Sequence, residues 1–339
     1  MTKSYKDSGV DTVGADEWVD KISARFGRSP ENLISSFDSY AAVYRTHGEH
    51  CVALSCDGVG TKVIWTKAGL GSGAQVAQDL MAMNVNDLIC VGARPQLFMD
   101  YLAVGSLRHQ KESGFLSDFL DGLHRACEAT GVLLVGGETA EMPGVYEEPQ
   151  YDVAGFAVGF LEEREYLNPA NIKPGDVVYG WKSSGPHSNG FSWLRRLFEA
   201  QKDADFIRTH LMPPTALYVK PFLELQAKVK GAIRGAFHIT GSGFLNLLRF
   251  NNPKTGIALG FDLSEYKESP EWCREVQRRS GATPMEMFQS FNMGIGFVFC
   301  LSPEASRQHH DLIMASGAVV LGKVIQEPVV NVAGLTLRE

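Results

Sequence analysis

The sequence predicts an α+β protein of two layered α/β domains, and three features carry that reading. Apolar runs of strand length recur along the chain, each ending in a turn rich in Gly, Ser, Asp or Asn. Stretches with apolar residues at helical spacing lie between them. A polar segment at 162–173, leading into Asn171-Ile-Lys-Pro-Gly175, interrupts the pattern once and is expected to join residues 1–165 to residues 166–339. In the first half, strands are expected at 51–55, 96–104, 132–135 and 153–160, where β-branched and aromatic residues run between turn formers. Helices are expected near 74–91 and 111–130. In the second half, strands near 176–182, 256–262, 295–301 and 318–324 alternate with helices near 190–200, 215–230, 243–250, 270–280 and 303–316.

Composition narrows the function class. The 339 residues are 44% hydrophobic and 21% charged, enough for two cores of ordinary domain size. A net charge of −7 gives no reason to expect nucleic acid as a partner, so an anionic substrate has to be met by local positive charge and metal. No apolar run approaches the roughly 20 residues of a membrane span, and Met1-Thr-Lys-Ser-Tyr-Lys6 lacks a secretory apolar region, so a cytoplasmic location is expected. The six cysteines are scattered without a C-x-x-C pair, which argues against a zinc site or a disulfide framework.

Four polar knots carry the chemistry. Ser55-Cys56-Asp57-Gly58-Val59-Gly60-Thr61-Lys62 follows an apolar strand and combines glycines, a carboxylate, a hydroxyl and an ammonium. Those parts suit phosphate and divalent metal, although a Gly/Asp turn of ordinary kind has the same composition and the order is not that of a P-loop. Asp79 to Leu88 reads as a buried helix carrying Asp79, Asn86 and Asp87, polar groups that need partners such as a cation. Asp100, Glu138 and Glu141 add carboxylates at strand ends. Ser183-Ser184-Gly185-Pro186-His187-Ser188-Asn189-Gly190 and His238-Ile239-Thr240-Gly241-Ser242-Gly243-Phe244 each join a strand to a helix through a glycine loop. His187 and His238 are read either as acid/base groups or as histidines tied into the structure.

Taken in order, Tyr5-Lys6-Asp7-Ser8-Gly9-Val10-Asp11, the 57–62 loop, Asn86-Asp87-Leu88, 136–144, Tyr151-Asp152-Val153-Ala154-Gly155, 185–190 and Phe291-Asn292-Met293-Gly294-Ile295-Gly296 resemble the phosphoribosylformylglycinamidine cyclo-ligase (aminoimidazole ribonucleotide synthetase) family. Seven motifs in sequence are far more specific than any one of them. The resemblance implies ATP-dependent ring closure of formylglycinamidine ribonucleotide, with ATP and Mg²⁺, in a homodimer whose N-terminal sheets pair into a barrel. It implies Lys6, Asp57, Gly58, Gly60, Thr61 and Lys62 for ATP, and Asp57, Asp87, Glu138 and Asp100 for metal. Ser184, Gly185, His187, Ser188, Asn189, Thr240, Gly241, Ser242 and Gly243 are implied for substrate, and His187, His238 and Asp87 for catalysis. The alternatives are a thiamin-monophosphate kinase-like member of the superfamily, which needs similar acidic loops, and a non-catalytic nucleotide-binding subunit.

The family motif departs at one point: Ser242 stands where three consecutive glycines are usual. If that position has φ > 0, serine is expected to strain the backbone by about 1 kcal/mol. The run Leu245-Asn-Leu-Leu-Arg249 departs as well.

Overall fold

The computed structural model describes residue 9 and residues 12–26, 30–37, 39–251, 256–267 and 269–338. Lys6, Asp7 and Asp11 lie outside the described residues.

The first sheet comprises β1 (Leu33–Ser35), β2 (Ala42–His47), β3 (His50–Gly58), β4 (Arg94–Val104), β5 (Leu133–Glu141) and β6 (Tyr151–Glu162), in the order β1-β2-β3-β6-β4-β5. Its pairings are antiparallel except β4 with β5, and that parallel pair requires a crossover, supplied by the helices Leu107–Glu112 and Phe115–Thr130. β6 shows the alternation of a one-sided sheet. Tyr151, Val153, Gly155, Ala157, Gly159 and Leu161 are buried beneath helix, while Phe156 and Phe160 stand exposed on the other face.

The long helix Gly73–Cys90 lies on the buried face of this sheet. It starts with a capping box between Ser72 and Gln75, and Gly122 of the neighbouring helix is tight against it, since a Cβ there would come 2.4 Å from the Cα of Ala74. This central helix is buried along nearly its whole length.

The second sheet holds β7 (Val177–Lys182), β8 (Ile233–His238), β9 (Gly260–Leu263), β10 (Ile295–Leu301), β11 (Val319–Ile325), β12 (Val330–Val332) and β13 (Leu335–Leu337), in the order β13-β12-β9-β11-β7-β10-β8. β10 is buried at every position, and around it Trp181, Tyr218, Phe222, Phe297 and Phe299 pack as an aromatic cluster. Helix Val219–Lys228 and strand β8 bring this domain against the central helix.

Two α/β domains with mixed sheets are therefore present. Among the described residues no closed barrel is formed: the first sheet is open, with β1 and β5 at its edges. Several boundaries differ from the sequence expectation for identifiable reasons. The 111–130 helix is two helices, because Gly114 turns left-handed (φ 79°) between them. The expected 215–230 helix begins only at Val219, since the preceding segment is irregular and hydrogen-bonds to the central helix. The 243–250 helix is a short 3₁₀ segment, Gly243–Leu248, and the 303–316 helix divides at His309. Helices Thr12–Phe26 and Pro284–Ser290 and strands β1, β2, β12 and β13 were not anticipated. Among the described residues no helix is long and apolar enough to cross a membrane.

Candidate active site

Asp57, at the end of β3, and Asp87, near the end of the central helix, are brought close enough for the Asp87 charge to act on Asp57. Asn84 fixes the strand end: its side-chain oxygen accepts the Asp57 N–H at 2.9 Å, and its amide donates to the carbonyls of Asp57 (3.2 Å) and Leu80 (2.9 Å). A Cβ on Gly155 would meet the Asn84 amide at 2.6 Å, so glycine at that point lets the helix reach the strand. Burial first, and the Asp87 carboxylate second, push Asp57 up to about 6, against the pull of the Gly58 N–H, which donates to it at 2.7 Å. Arg249, lying 4.7 Å over the Tyr40 ring, also draws Asp57 down.

Asp87 is oriented across the domain boundary. His238, at the end of β8, is fully buried and its Nδ1 lies 2.8 Å from Asp87 Oδ1, whose side chain is 16% exposed. The His238 Nε2 faces the Asn86 amide at 3.5 Å; an amide donates, so Nε2 accepts and the proton sits on Nδ1, where it donates to Asp87. Asn86 also donates to Ala216 O (2.9 Å) and accepts from the Tyr218 N–H (3.0 Å). Tyr218, whose role the sequence does not reveal, closes this knot by donating to Lys182 O at 2.8 Å.

Lys62 is placed otherwise than a phosphate ligand at a cleft mouth. Its side chain is fully buried, 2.8 Å from Asp79, and it donates to His187 O (2.9 Å) and Pro213 O (3.0 Å). All three ammonium protons are thus engaged. Burial pulls the ammonium down from the usual lysine range and Asp79 opposes this. Asp79 in turn accepts the Thr215 N–H and hydroxyl, each at 2.7 Å, and the Ser188 hydroxyl at 3.1 Å. Lys62 and Asp79, from one domain, hold backbone of the other.

The 183–190 loop sits on this clamp. His187 is fully buried with φ 60°, and its Nε2 accepts the Ser184 N–H at 3.3 Å. Burial first, and then the nearby His238 ring and Lys62 ammonium, hold it well below the usual histidine range, so it is neutral. Among the described residues its Nδ1 has no partner, and glycine is required opposite it, since a Cβ on Gly296 would come 2.3 Å from the ring. Asn292 fastens the same loop by donating to Gly185 O at 2.9 Å. The Asn189 amide nitrogen is buried without a partner among the described residues. Thr61 and Ser192 meet at 3.0 Å through their hydroxyls, joining the 57–62 loop to the helix after 183–190. In the fourth knot Asn246 donates to Gly241 O (2.6 Å) and Gly243 O (2.8 Å), and its Oδ1 accepts from the Thr240 hydroxyl at 3.4 Å. Ser242 does adopt φ 70°, so the expected strain is present.

The remaining acids stand apart. Asp57 and Asp100 both pair with Gly155, on opposite sides of β6, which separates them by two strand spacings, roughly 10 Å. Burial pushes the Asp100 carboxyl up. Glu138 lies opposite Tyr101, one position beyond Asp100, and so projects from the other, exposed face of the sheet. Among the described residues no three His, Cys, Asp or Glu side chains converge as a metal-ligand group. The chain alone therefore assembles Asp57 and Asp87, but does not draw Asp100 and Glu138 to them. Arg249, the cation felt by Asp57, was missed; its place shortly after the glycine loop was the available signal.

Both halves match known families: residues 38–161 match the AIR synthase related protein N-terminal domain and residues 173–334 its C-terminal domain. Phosphoribosylformylglycinamidine cyclo-ligase of Aromatoleum aromaticum is 38% identical, covering 95% of this chain and 94% of that protein. That of Bordetella petrii is 35% identical, covering 96% and 95%. Among solved structures, the HypE-HypF complex matches at TM-score 0.68 and 16% identity over 97% of this chain and 99% of that one. AaThiL complexed with AMPPCP and TMP matches at 0.66 and 17% over 95% and 94%; these likenesses show the shared fold. Matched in both halves and over nearly its full length, the chain belongs to the phosphoribosylformylglycinamidine cyclo-ligase (AIR synthase) family.

Proposed function

We propose that the protein closes the imidazole ring of aminoimidazole ribonucleotide from formylglycinamidine ribonucleotide, consuming ATP and releasing ADP and phosphate, in cytoplasmic de novo purine biosynthesis. The family assignment supports the reaction, and one observation supports the site: two carboxylates, Asp57 and Asp87, held near each other at the domain junction by Asn84 and His238. Their mutual repulsion and the burial of Asp57 fit a divalent cation, a hard-oxygen donor pair lacking its counter-charge. Asp57 and Asp87 would hold Mg²⁺, which supplies charge neutralisation for the triphosphate when bound.

In this reading the formyl oxygen attacks the γ-phosphorus and ADP departs, giving an iminophosphate. The amidine-derived nitrogen then attacks that carbon and expels phosphate, so an oxygen that leaves poorly has become one that leaves well. Such chemistry needs positioning and charge stabilisation more than a covalent nucleophile. Gly58, Gly60 and Thr61 approach the nucleotide, and Arg249 adds positive charge beside Asp57. Ser184, Asn189 and the Thr240–Gly243 backbone receive the substrate, the unpartnered Asn189 amide being the donor most in need of an acceptor. His238 orients Asp87, and neutral His187 shapes the loop from beneath. Lys62 contributes by holding the domains at the angle that forms the cleft.

A homodimer is part of this reading. The uncovered face of the first sheet exposes Leu54, Met99, Tyr101, Phe156 and Phe160, an apolar surface suited to a second copy. Glu138 projects from that face, so any part it has in metal binding belongs to a site completed by pairing. The test is phosphate release from ATP with and without formylglycinamidine ribonucleotide. Release that depends on this substrate is expected; release stimulated by thiamin monophosphate instead would replace the reading with a kinase.

A further inference from the structure

At the far end of the domain junction lies a cavity of about 740 Å³ lined by Arg94, Arg164, Lys173, Lys230 and Arg234, with Glu165 as its sole carboxylate. We propose that this cavity is a second site, which binds a phosphorylated metabolite of nucleotide size between the two domains.

The cavity is distinct from the carboxylate site. Arg94 opens β4 and Asp100 lies six residues along it, about 20 Å away; Arg234 and His238 likewise occupy opposite ends of β8. Both domains contribute cations, Arg94 and Arg164 from the first and Lys230 and Arg234 from the second. In a chain of net charge −7, several cations facing one gap make a local field opposite in sign to that of the whole protein. Three of them are partly engaged. Arg234 pairs with buried Asp176 at 2.8 Å, Arg164 with exposed Glu49 at 3.4 Å, and Lys173 donates to Ala170 O at 2.8 Å. Arg94 and Lys230 stand outside the ion pairs formed among the described residues, and a dianion in the cavity would meet cations of both domains at once. The volume falls within the range of small-molecule sites, and Leu223 and Ile233 add apolar wall, which suits an organic phosphate better than a bare ion.

The experiment titrates the full-length protein with AMP and with inorganic pyrophosphate in EDTA, by calorimetry. The parent protein is compared with Arg94→Glu/Lys230→Glu and with Asp87→Asn. The proposal expects saturable AMP binding displaced by pyrophosphate, weakened about tenfold or more in the double charge reversal, unchanged in Asp87→Asn, and falling as salt is raised. Substrate-saturated turnover of the charge reversal should stay within about twofold of the parent. Absence of saturable AMP binding, failure of pyrophosphate to compete, equal affinity in parent and charge reversal, or loss of binding in Asp87→Asn would each overturn it.

Discussion

One helix supplies both Asp79 and Asp87, and the two carboxylates have opposite fates. Asp79 is buried against Lys62, Thr215 and Ser188, so its charge is compensated within the protein. Among the described residues Asp87 is hydrogen-bonded by His238, keeps some exposure and lies near a second carboxylate. The difference teaches how to sort buried polar residues. Where a buried charge meets an opposite charge and hydrogen-bond donors across a domain boundary, the group acts as a clamp; where like charges are left facing each other, the arrangement fits the cation site proposed above.

The sharpest way to break this contrast is Asp87→Asn. Substrate-dependent phosphate release is expected to fall on the order of 10²–10³-fold or more, with circular dichroism unchanged, because only the chemical end is altered. Near-normal turnover would mean that the two ends have been assigned wrongly. Next comes Lys62→Ala, which leaves Asp79 buried without its cation and should cost roughly 3–5 kcal/mol of stability in denaturant unfolding. A loss under about 1 kcal/mol would be typical of an exposed pair and would contradict the clamp.

A smaller effect sharpens the chemical end through pH. Asp57 sits at about 6, above the ordinary carboxylate value of 3.8, so its protonated form is the one the metal-free fold prefers. That preference is fully present below about pH 4 and is lost as pH rises through about 6, where the ionised group costs the folded state. Asp57→Asn should therefore stabilise the protein in EDTA at pH 8, by on the order of 2 kcal/mol, and hardly at all at pH 4, while abolishing turnover. Thermal melts at the two pH values check the sign. The smallest effect lies outside both ends: Ser242→Gly should add about 1 kcal/mol by relieving the left-handed serine, visible as a higher melting temperature.

Much of this was legible in the sequence. Glycine-closed strand runs marked β3, β4, β7 and β10, and seven ordered motifs pointed to the family that the comparisons show. Short strands such as β12 and β13, of three residues each, carry too little pattern to be seen. The polar stripe of the central helix was visible, but not how it would be divided. Asp79, Asn86 and Asp87 look alike in sequence, and only the docking of 213–218 from the other domain separates them. The surroundings of Lys62 were hidden for the same reason. A lysine after a glycine loop resembles a phosphate ligand until Asp79 and two carbonyls from 187 and 213 are seen around it. The barrel expected from pairing lies beyond a single chain, whose first sheet remains open.

The most direct measurement is formylglycinamidine ribonucleotide-dependent phosphate release by Lys62→Met/Asp79→Asn, compared with Asp87→Asn at the same Mg²⁺ concentrations. If the pair only clamps the domains, the neutral replacement keeps turnover within about tenfold of the parent and leaves its Mg²⁺ dependence unmoved. Turnover as low as that of Asp87→Asn, in a folded protein, would put Lys62 and Asp79 among the groups that touch the nucleotide.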